Sequence, residues 1–524
     1  MVVCPLGRGV AGCWGWAPCS LVTREESSPR GPGGAFVSEP SSARGSFRRR
    51  HSRRRGGRGA GRILSVIFVA IYLVSVAVAW GVGVVPRNKL LVAAACGACL
   101  VGVVAAGLWR TKARRHKVRF GALVTLAAIG AAVSVVLALV NLDVAGFVGR
   151  IQNSVPPSVT YVVVAPPDHP DGVESLGGEV VGFIPNDPNV DRVRAHLTSR
   201  VEITMAATGD ITKATQAVVA GNIDAAAINL NIWQVFEEND PGRAGDLKVI
   251  YQFEITQPLG DLQARDRDPK EGFIVYISGI DVAGPLTTVS RSDVNMLMVV
   301  NPTTHKVLLV NTPRDYYVQL HGTQGTKDKL THAGIYGIDM SINTLQDVYG
   351  VEIDYYVRLN FSSMVTLVDT VGPIQVNSDY DFTTGQHHFV KGWNEMNGTQ
   401  ALAFSRARKN FAEGDRQRGK HQQAVIDALI RKLTERPNLL RYNEILTALE
   451  GTIGTNVTTT RIRALVDAQL SSMRGWQVES ISVDGAGASE PTYSMGSMKL
   501  YVMVPDQKTV DAAKTKIDQV LAGN

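Results

Sequence analysis

Three long apolar stretches in the first third of the chain constrain its architecture more than any other feature. They cover residues 63–85, 90–109 and 120–142, and none of them contains a charged residue. Each is close to the roughly 20 residues that a helix needs to cross a bilayer. Buried core helices remain an alternative, whereas a cleaved signal peptide fits poorly because two more such stretches follow the first. We therefore predict three transmembrane helices within residues 61–145.

The basic residues around these stretches predict how the helices are oriented. Nine arginines lie in residues 44–62, two basic residues in 86–89 and six in 110–119. Lys and Arg are retained on the cytoplasmic side of a membrane. We therefore predict a multi-pass protein of the cell membrane, with a cytoplasmic N-terminus and with all residues beyond about 144 outside the membrane.

The charge balance outside these stretches argues against a nucleic-acid partner. Residues 1–119 carry a net charge of +17 while the whole chain carries +7, so the remainder is net −10. An acidic outer portion would repel a phosphate backbone. All five cysteines precede residue 100, so the outer portion forms no disulfide. Residues 1–60 are rich in Gly, Ser, Pro and Arg. This composition predicts a disordered basic cytoplasmic segment.

Residues 152–268 form a second unit, in which short β-rich runs alternate with helical patterns. This alternation predicts a small extracytoplasmic accessory α/β domain, and none of its residues has catalytic spacing. The predicted strands lie near 161–165, 180–184, 201–206, 224–228 and 248–253, and the predicted helices near 189–198, 211–220 and 231–238. A charged linker over 263–270 leads to a third unit, residues 271–524.

The third unit begins with a predicted β-hairpin whose open end is charged. Apolar runs at 294–300 and 307–310 flank a Pro-containing turn at 301–305. If the turn centres between residues 303 and 304, Asp293 lies opposite Arg314, and Arg291 shares their face because alternate strand residues point the same way. Three ionisable groups therefore gather at one end. A structural salt bridge that closes the hairpin remains an alternative.

A second charged cluster follows residue 403. In an extended stretch over 402–408, Arg406 and Arg408 would share one face. Arg418 and Gln422 are four residues apart and would share one face of a helix. A solvated basic surface is the alternative, but this regular spacing suits a pyrophosphate, since guanidinium groups bond phosphate oxygens in fixed directions. The sequence contains no HExxH zinc motif, P-loop or GxSxG turn.

The order and spacing of these motifs over residues 271–520 resemble the LytR-CpsA-Psr (LCP) family of cell-wall glycopolymer ligases. Three membrane helices followed by an intervening domain resemble the longer, capsule-associated branch of that family. The matching motifs are Gly279-Ile280-Asp281, Arg291-Ser292-Asp293, Asn301-Pro302, Pro313-Arg314-Asp315, Lys329-Leu330-Thr331-His332-Ala333, Asp354-Tyr355-Tyr356, Arg406-x-Arg408 and Asp415-x-x-Arg418-x-x-x-Gln422.

The resemblance implies an α/β/α sandwich with an apolar groove for a polyprenyl chain. It implies transfer of a glycopolymer from a polyprenyl-pyrophosphate carrier to peptidoglycan, on a muramic-acid hydroxyl. Asp293, Arg314 and Arg291 would be the catalytic residues. Asp281 and Asp293 would hold Mg²⁺, with Mn²⁺ as an alternative, and Arg291 would support Asp293 or touch phosphate. The residues that would bind the pyrophosphate are Arg314, Arg406, Arg408, Arg418 and Gln422.

Several alternatives stay open on the sequence alone. The polymer could be a capsular polysaccharide, a teichoic-acid-like chain or an arabinogalactan-like chain. Hydrolysis of the polyprenyl pyrophosphate is a rival within the same class, and a non-catalytic lipid receptor or transcription attenuator is a rival from another. Asp315 and Lys329 could be a base, a phosphate contact or structural residues. No base for the acceptor hydroxyl is assigned.

Overall fold

A computed structural model describes residues 59–82, 87–111, 116–152, 157–257, 264–265, 267–280 and 288–523. Its first part consists of three helices: α1 (Gly59–Val82), α2 (Arg87–Arg110) and α3 (Lys117–Gln152). Residues 59–80, 90–110 and 117–136 are long and apolar enough to cross a membrane. This confirms the three predicted apolar helices. The predicted disordered segment lies outside the described residues, except that residues 59 and 60 belong to α1.

The N-terminal domain, residues 158–256, contains one five-stranded sheet flanked by helices. Its elements are β1 (Ser158–Ala165), β2 (Val180–Phe183), α4 (Val190–Thr198), β3 (Thr204–Ala207), α5 (Ile211–Val219), β4 (Ala225–Asn229), α6 (Leu230–Asn239), α7 (Pro241–Gly245) and β5 (Lys248–Thr256). The strand order is β3-β2-β4-β1-β5, with β2 parallel to β3 and β4, and β1 antiparallel to β4 and β5. The predicted alternation of strands and helices is confirmed.

The C-terminal domain begins at residue 273 and is larger. Its first elements are β6 (Phe273–Ile280), β7 (Ser292–Asn301), β8 (Lys306–Thr312), β9 (Tyr317–Val318), β10 (Asp328–Lys329), α8 (Leu330–Ala333), α9 (Ile338–Tyr349), β11 (Tyr355–Leu359), α10 (Phe361–Val371), β12 (Ile374–Ser378), β13 (Phe382–Thr384), β14 (His387–Phe389) and β15 (Gly392–Met396). Its remaining elements are α11 (Gly398–Arg406), α12 (Asp415–Leu433), α13 (Arg436–Leu440), α14 (Tyr442–Ala448), β16 (Ile453–Thr455), α15 (Thr459–Ser472), β17 (Gln477–Ser482), β18 (Gly485–Thr492), β19 (Gly496–Pro505) and α16 (Gln507–Ala522).

The main sheet of this domain has the strand order β16-β11-β6-β7-β8-β17. Alternate residues of a strand point to opposite faces, and here both faces are covered. One face, which includes Tyr276 and Leu297, packs against α9 and α16. The other, which includes Val275 and Met296, packs against α12 and α15. Helices on both faces confirm the predicted α/β/α sandwich.

The hairpin of β7 and β8 has the predicted register. Asn295 pairs with Thr312 and Asn301 pairs with Lys306, so facing residue numbers sum to 607. The Asn301 side chain accepts hydrogen bonds from the backbone N–H groups of Thr303 and Thr304, which stabilises the turn. The residues that follow β8 therefore lie opposite the start of β7.

The two domains share an interface that fixes α6 beside the C-terminal sheet. Asn231 of α6 donates a hydrogen bond to the carbonyl oxygen of Val289 at 3.0 Å. The N–H of Val289 in turn donates to the carbonyl of Ser158 at 2.8 Å. Buried apolar residues from both domains, including Phe236 and Leu500, pack in one cluster. Hydrogen bonds and apolar contacts therefore hold α6 rigidly against the C-terminal domain.

Candidate active site

Asp293 and Arg314 form an ion pair across the open end of the β7–β8 hairpin. Nη1 of Arg314 donates to Oδ1 of Asp293 at 3.0 Å. The hairpin register explains the contact, because Asp293 is the second residue of β7 and Arg314 lies two residues after the end of β8. The buried Nε of Arg314 makes no hydrogen bond within the described residues. A buried donor without an acceptor is costly, and an anionic ligand could satisfy it.

The first turn of α12 brings a second arginine and a second carboxylate to this ion pair. Nη2 of Arg418 lies 2.5 Å from Oδ1 of Asp415, and its Nη1 lies 3.8 Å from Oδ2 of Asp293. Nε of Arg314 lies 3.9 Å from Oδ1 of Asp415. Two carboxylates and two guanidinium groups therefore alternate around one point. Arg418 is largely buried, so its position is fixed by packing as well as by charge.

Burial and charge act in opposite directions on these groups. Burial raises the pKa of Asp293, but Arg314 and Arg418 outweigh it, so the pKa of this carboxyl is held below its usual value. Burial also raises the pKa of Asp415, and there the two arginines do not fully offset it, so its pKa is above the usual range. The site therefore holds one firmly ionised carboxylate and one that takes up a proton more readily.

A cavity of about 180 Å³ extends from these charges into the domain. Its inner lining is apolar and comes from β6, α10, α11 and α12, through residues such as Ile277, Phe361, Met364, Leu367, Leu402 and Leu429. Its charged end is formed by Asp293, Arg314, Arg406, Arg408, Arg418 and Gln422. One cavity therefore combines an apolar interior with an entrance rich in guanidinium groups. This is the chemistry that a lipid diphosphate requires.

The predicted extended stretch over 402–408 is wrong. Residues 398–406 form helix α11, and Arg406 is its last residue. The side chains of Asn397 and Gln400 cap the start of this helix reciprocally, so the chain turns helical before Leu402. Arg406 lies with its guanidinium carbon 4.0 Å from the centre of the Phe361 ring. Both Arg406 and Arg408 nevertheless line the cavity, because the helix ends at its entrance.

The predicted helical pair of Arg418 and Gln422 is confirmed. Both residues belong to α12, are largely buried and line the charged end of the cavity. Their neighbour Gly419 allows close contact with β8, because a Cβ atom there would lie 2.5 Å from the Asn311 side chain. The helix can therefore approach the hairpin closely enough for Arg418 to reach Asp293.

The sequence model of the LytR_cpsA_psr family matches residues 243–519, just over half of the chain. The chain belongs to this family. The polyisoprenyl-teichoic acid–peptidoglycan teichoic acid transferase TagU of Bacillus mycoides is 34% identical over 222 residues, which cover 42% of this chain and 70% of that protein. TagU of Bacillus subtilis is 34% identical over 209 residues, which cover 39% of this chain and 67% of that protein.

Solved structures also align with the chain. The crystal structure of B. subtilis TagU is 28% identical and covers 48% of this chain and 97% of its own, with a TM-score of 0.38. The structure of TagT bound to LIIa-WTA is 24% identical and covers 50% and 96%, with a TM-score of 0.41. The match to the LytR-CpsA-Psr family begins at residue 243, within α7. This is 28 residues before residue 271, where the sequence predicted that the third unit begins.

The structure pairs Arg291 with the other domain of this LytR-CpsA-Psr protein. Its two terminal nitrogens each donate to a carboxylate oxygen of Glu238 in α6, both at 3.2 Å. Arg291 forms neither a hydrogen bond nor an ion pair with Asp293 within the described residues, although its charge contributes to the lowered pKa of that carboxyl. Its predicted support of Asp293 would therefore act through space, and this support and the predicted phosphate contact both stay predictions.

Metal binding by this LytR-CpsA-Psr protein stays a prediction. Asp281 lies outside the described residues, and among the residues described no group of three acidic, His or Cys side chains could hold a metal ion. Asp293 is ionised and lies at the cavity, which suits a Mg²⁺ ion that takes one or two protein carboxylates together with substrate oxygens. Among the described residues, the lining of this cavity therefore offers one carboxylate, that of Asp293, as a magnesium ligand.

Four further residues lie near the charged end of the cavity: the sequence left the roles of Asp315 and Lys329 open and assigned none to Asp415 or Glu238. Lys329 forms an ion pair with the buried carboxylate of Asp315, which also lies 3.7 Å from Nε of Arg314, so this pair supports the arginine. Asp415 could have been found from its position three residues before Arg418, since such pairs meet on a helix. No sequence pattern pointed to Glu238, because its partner Arg291 lies 53 residues away in another domain.

Proposed function

We propose that this chain is a membrane-anchored phosphotransferase that moves a glycopolymer from a polyprenyl-pyrophosphate carrier to peptidoglycan. One observation carries the proposal: a single cavity joins an apolar interior to an entrance formed by four arginines and a glutamine. Relatives named as teichoic acid transferases to peptidoglycan support the same reaction class. A teichoic-acid-like polymer agrees with those names, and a capsular polysaccharide agrees with the domain order.

The donor lipid would bind with its first isoprenoid units inside the cavity. Burial of hydrocarbon gives favourable energy of about 25 cal/mol per Å² of apolar surface removed from water. The pyrophosphate would then reach Arg314, Arg408 and Arg418 at the entrance. Arg408 is exposed and forms no ion pair within the described part of the chain, so its charge is available for phosphate. Gln422 would donate its side-chain amide to a phosphate oxygen.

The transfer is a displacement at the phosphorus atom that carries the glycopolymer. The oxygen of a sugar hydroxyl on peptidoglycan forms the new P–O bond, and the bond to the bridging oxygen breaks, so polyprenyl monophosphate leaves. Arginines that neutralise charge and hold the phosphates in position supply most of the acceleration in such reactions. The hydroxyl proton must be accepted, and Asp415 suits this role because its carboxylate lies beside Arg314 and Arg418 and because burial raises its pKa.

Magnesium is part of the proposal. Mg²⁺, with Mn²⁺ as a substitute, would add positive charge at the pyrophosphate oxygens when bound. Asp293 would be its ligand among the described residues, with Asp281 as the second predicted ligand. Without the ion, Arg314 and Arg418 still hold Asp293 ionised and in place.

The proposed orientation places both sheet domains outside the membrane. It rests on the excess of Lys and Arg in residues 44–62, 86–89 and 110–119. Peptidoglycan and the glycosylated carrier would then meet the cavity on the same side. Protease added to intact cells should cleave the sheet domains, whereas resistance of these domains in intact cells and cleavage only after lysis would contradict the orientation.

A product assay tests the proposed reaction. Full-length protein in detergent is incubated with an oligosaccharide-bearing polyprenyl pyrophosphate and with peptidoglycan fragments. We expect polyprenyl monophosphate and a covalent oligosaccharide–peptidoglycan product in equal amounts. Release of the lipid monophosphate together with free oligosaccharide phosphate would instead indicate hydrolysis. Binding of the lipid without any turnover would indicate a receptor.

A further inference from the structure

A second cavity, of about 260 Å³, lies where the two domains meet. One of its walls is helix α6 of the N-terminal domain, through Asn231, Gln234 and Glu238. The opposite wall contains Asp293, Arg314 and Arg408, which also line the charged end of the apolar cavity. The two cavities are therefore contiguous at the arginines proposed to bind pyrophosphate.

The lining of this second cavity is polar throughout. Besides the residues already named, it contains Ser290 and Arg291, and none of the described residues that line it has an aliphatic or aromatic side chain. Amide and guanidinium groups supply donors, while carboxylate and amide oxygens supply acceptors. Sugar hydroxyls both donate and accept hydrogen bonds, so this mixture suits a carbohydrate. A second phosphate suits it less, because Glu238 and Asp293 already pair with Arg291 and Arg314. Among the described lining residues, this leaves Arg408 as the one arginine outside an ion pair.

The helix that forms this wall is held in place before any ligand binds. Asn229 caps its first turn, Trp233 and Phe236 are buried on its inner side, and Asn231 is bonded to the other domain. Its outward residue Gln234 is exposed and makes no hydrogen bond to any described residue. The rigid helix fixes where the amide can reach, so binding a ligand requires the ordering of this one side chain and not of the helix.

The Arg291–Glu238 ion pair connects helix α6 to the C-terminal domain. Arg291 directly precedes β7, and Glu238 lies on α6. Two hydrogen bonds of 3.2 Å join their side chains. The pair is partly exposed, so it adds little to stability. Its position matters more, since it lies in the same cavity lining as Arg314 and Asp293.

We propose that helix α6 of the N-terminal domain forms a carbohydrate subsite for a sugar unit next to the reacting phosphate. Gln234 is the residue that contacts this sugar directly. The inference rests on the proposed function, because the sugar must belong to one of the two reactants. The glycan of the donor lipid and the sugar of the acceptor strand have the same hydroxyl chemistry, and the two are separated by experiment.

The test compares Gln234→Ala with a matched control, Gln216→Ala. Gln216 is an exposed glutamine on α5 of the same domain and does not line either cavity. Full-length proteins in detergent are titrated with polyprenyl pyrophosphate bearing an oligosaccharide and with the same lipid lacking sugar. KM for soluble peptidoglycan fragments is measured in the transfer assay.

For a donor subsite, Gln234→Ala weakens binding of the glycosylated lipid about three- to tenfold, the loss expected for one hydrogen bond, and leaves the sugar-free lipid unchanged. For an acceptor subsite, KM for the peptidoglycan fragment rises by a similar factor and both lipids bind as before. Gln216→Ala changes none of these values.

Three results would overturn the inference. If Gln234→Ala matches wild type in every value, α6 binds no sugar. If it weakens both lipids equally, the side chain serves the pyrophosphate or the fold. If the wild-type protein binds neither lipid and transfers nothing, the proposed function itself is wrong, and that outcome is distinct because it appears before any variant is compared.

Discussion

Arg314 donates a hydrogen bond across the open end of the hairpin to Asp293, with 3.0 Å between Nη1 and Oδ1, while its Nε makes no hydrogen bond to any residue that the structure describes. A salt bridge that only closed a hairpin would have no need of a buried, unsatisfied donor beside it. The arrangement is better explained by an arginine that one carboxylate orients toward an anionic ligand.

Arg314→Lys should lower kcat/KM for transfer on the order of 100-fold or more, because an ammonium lacks the planar set of donors that contacts phosphate and Asp293 together. The measurement is release of polyprenyl monophosphate. Arg416→Lys is the control, since Arg416 is exposed in the first turn of α12 and its Nε lies 2.7 Å from Oδ1 of Asp484. Equal activity of both variants would contradict the role of Arg314.

Leu402→Trp should narrow the apolar cavity and raise KM for long-chain donor lipids. A donor with one or two isoprenoid units should be affected less, because less of its chain must enter the cavity. Leu446→Trp on α14 is the control, since Leu446 does not line the cavity. Equal KM changes for short and long donors would show that the lipid chain lies elsewhere.

Activity should fall with decreasing pH as Asp415 becomes protonated. Burial raises the pKa of this carboxyl, so the acidic limb of the kcat/KM profile should lie above the usual range of an aspartate. Asp415→Asn should remove that limb and lower kcat by roughly 100-fold or more. Asp427→Asn, on the same helix but paired with Arg431, should keep both. An unchanged limb in Asp415→Asn would exclude Asp415 as the base.

Removal of divalent cations by a chelator should abolish transfer, and Mg²⁺ or Mn²⁺ should restore it. Asp293→Asn should raise the Mg²⁺ concentration needed for half-maximal activity, since a neutral amide is a weaker ligand than a carboxylate. Asp347→Asn serves as the control because Asp347 is exposed and pairs with His321. Full activity in the chelator would refute the metal requirement.

The hairpin shows what the sequence could predict. Asn295–Thr312 and Asn301–Lys306 pairing followed from one turn position, because the turn fixes every pair in the ladder. The Arg418–Gln422 pair was equally predictable from the sequence, because α12 is long and residues four apart lie on the same face of a helix. Both predictions depend on local geometry that a single element determines.

The errors arose where local patterns compete or where distant elements meet. Alternating Arg406 and Arg408 resembled a strand, yet the capping box of Asn397 and Gln400 directs this segment into a helix. The contact of Glu238 with Arg291 depends on how two domains pack, and no periodicity in either segment encodes that packing.

The central claim is that the apolar cavity and its arginines bind one lipid diphosphate. A crystal structure of the protein with polyprenyl pyrophosphate tests it most directly. The account predicts the diphosphate between Arg314, Arg408 and Arg418, with the first isoprenoid units against Met364 and Leu402. Lipid bound on another surface, or a diphosphate that contacts none of these arginines, would contradict it.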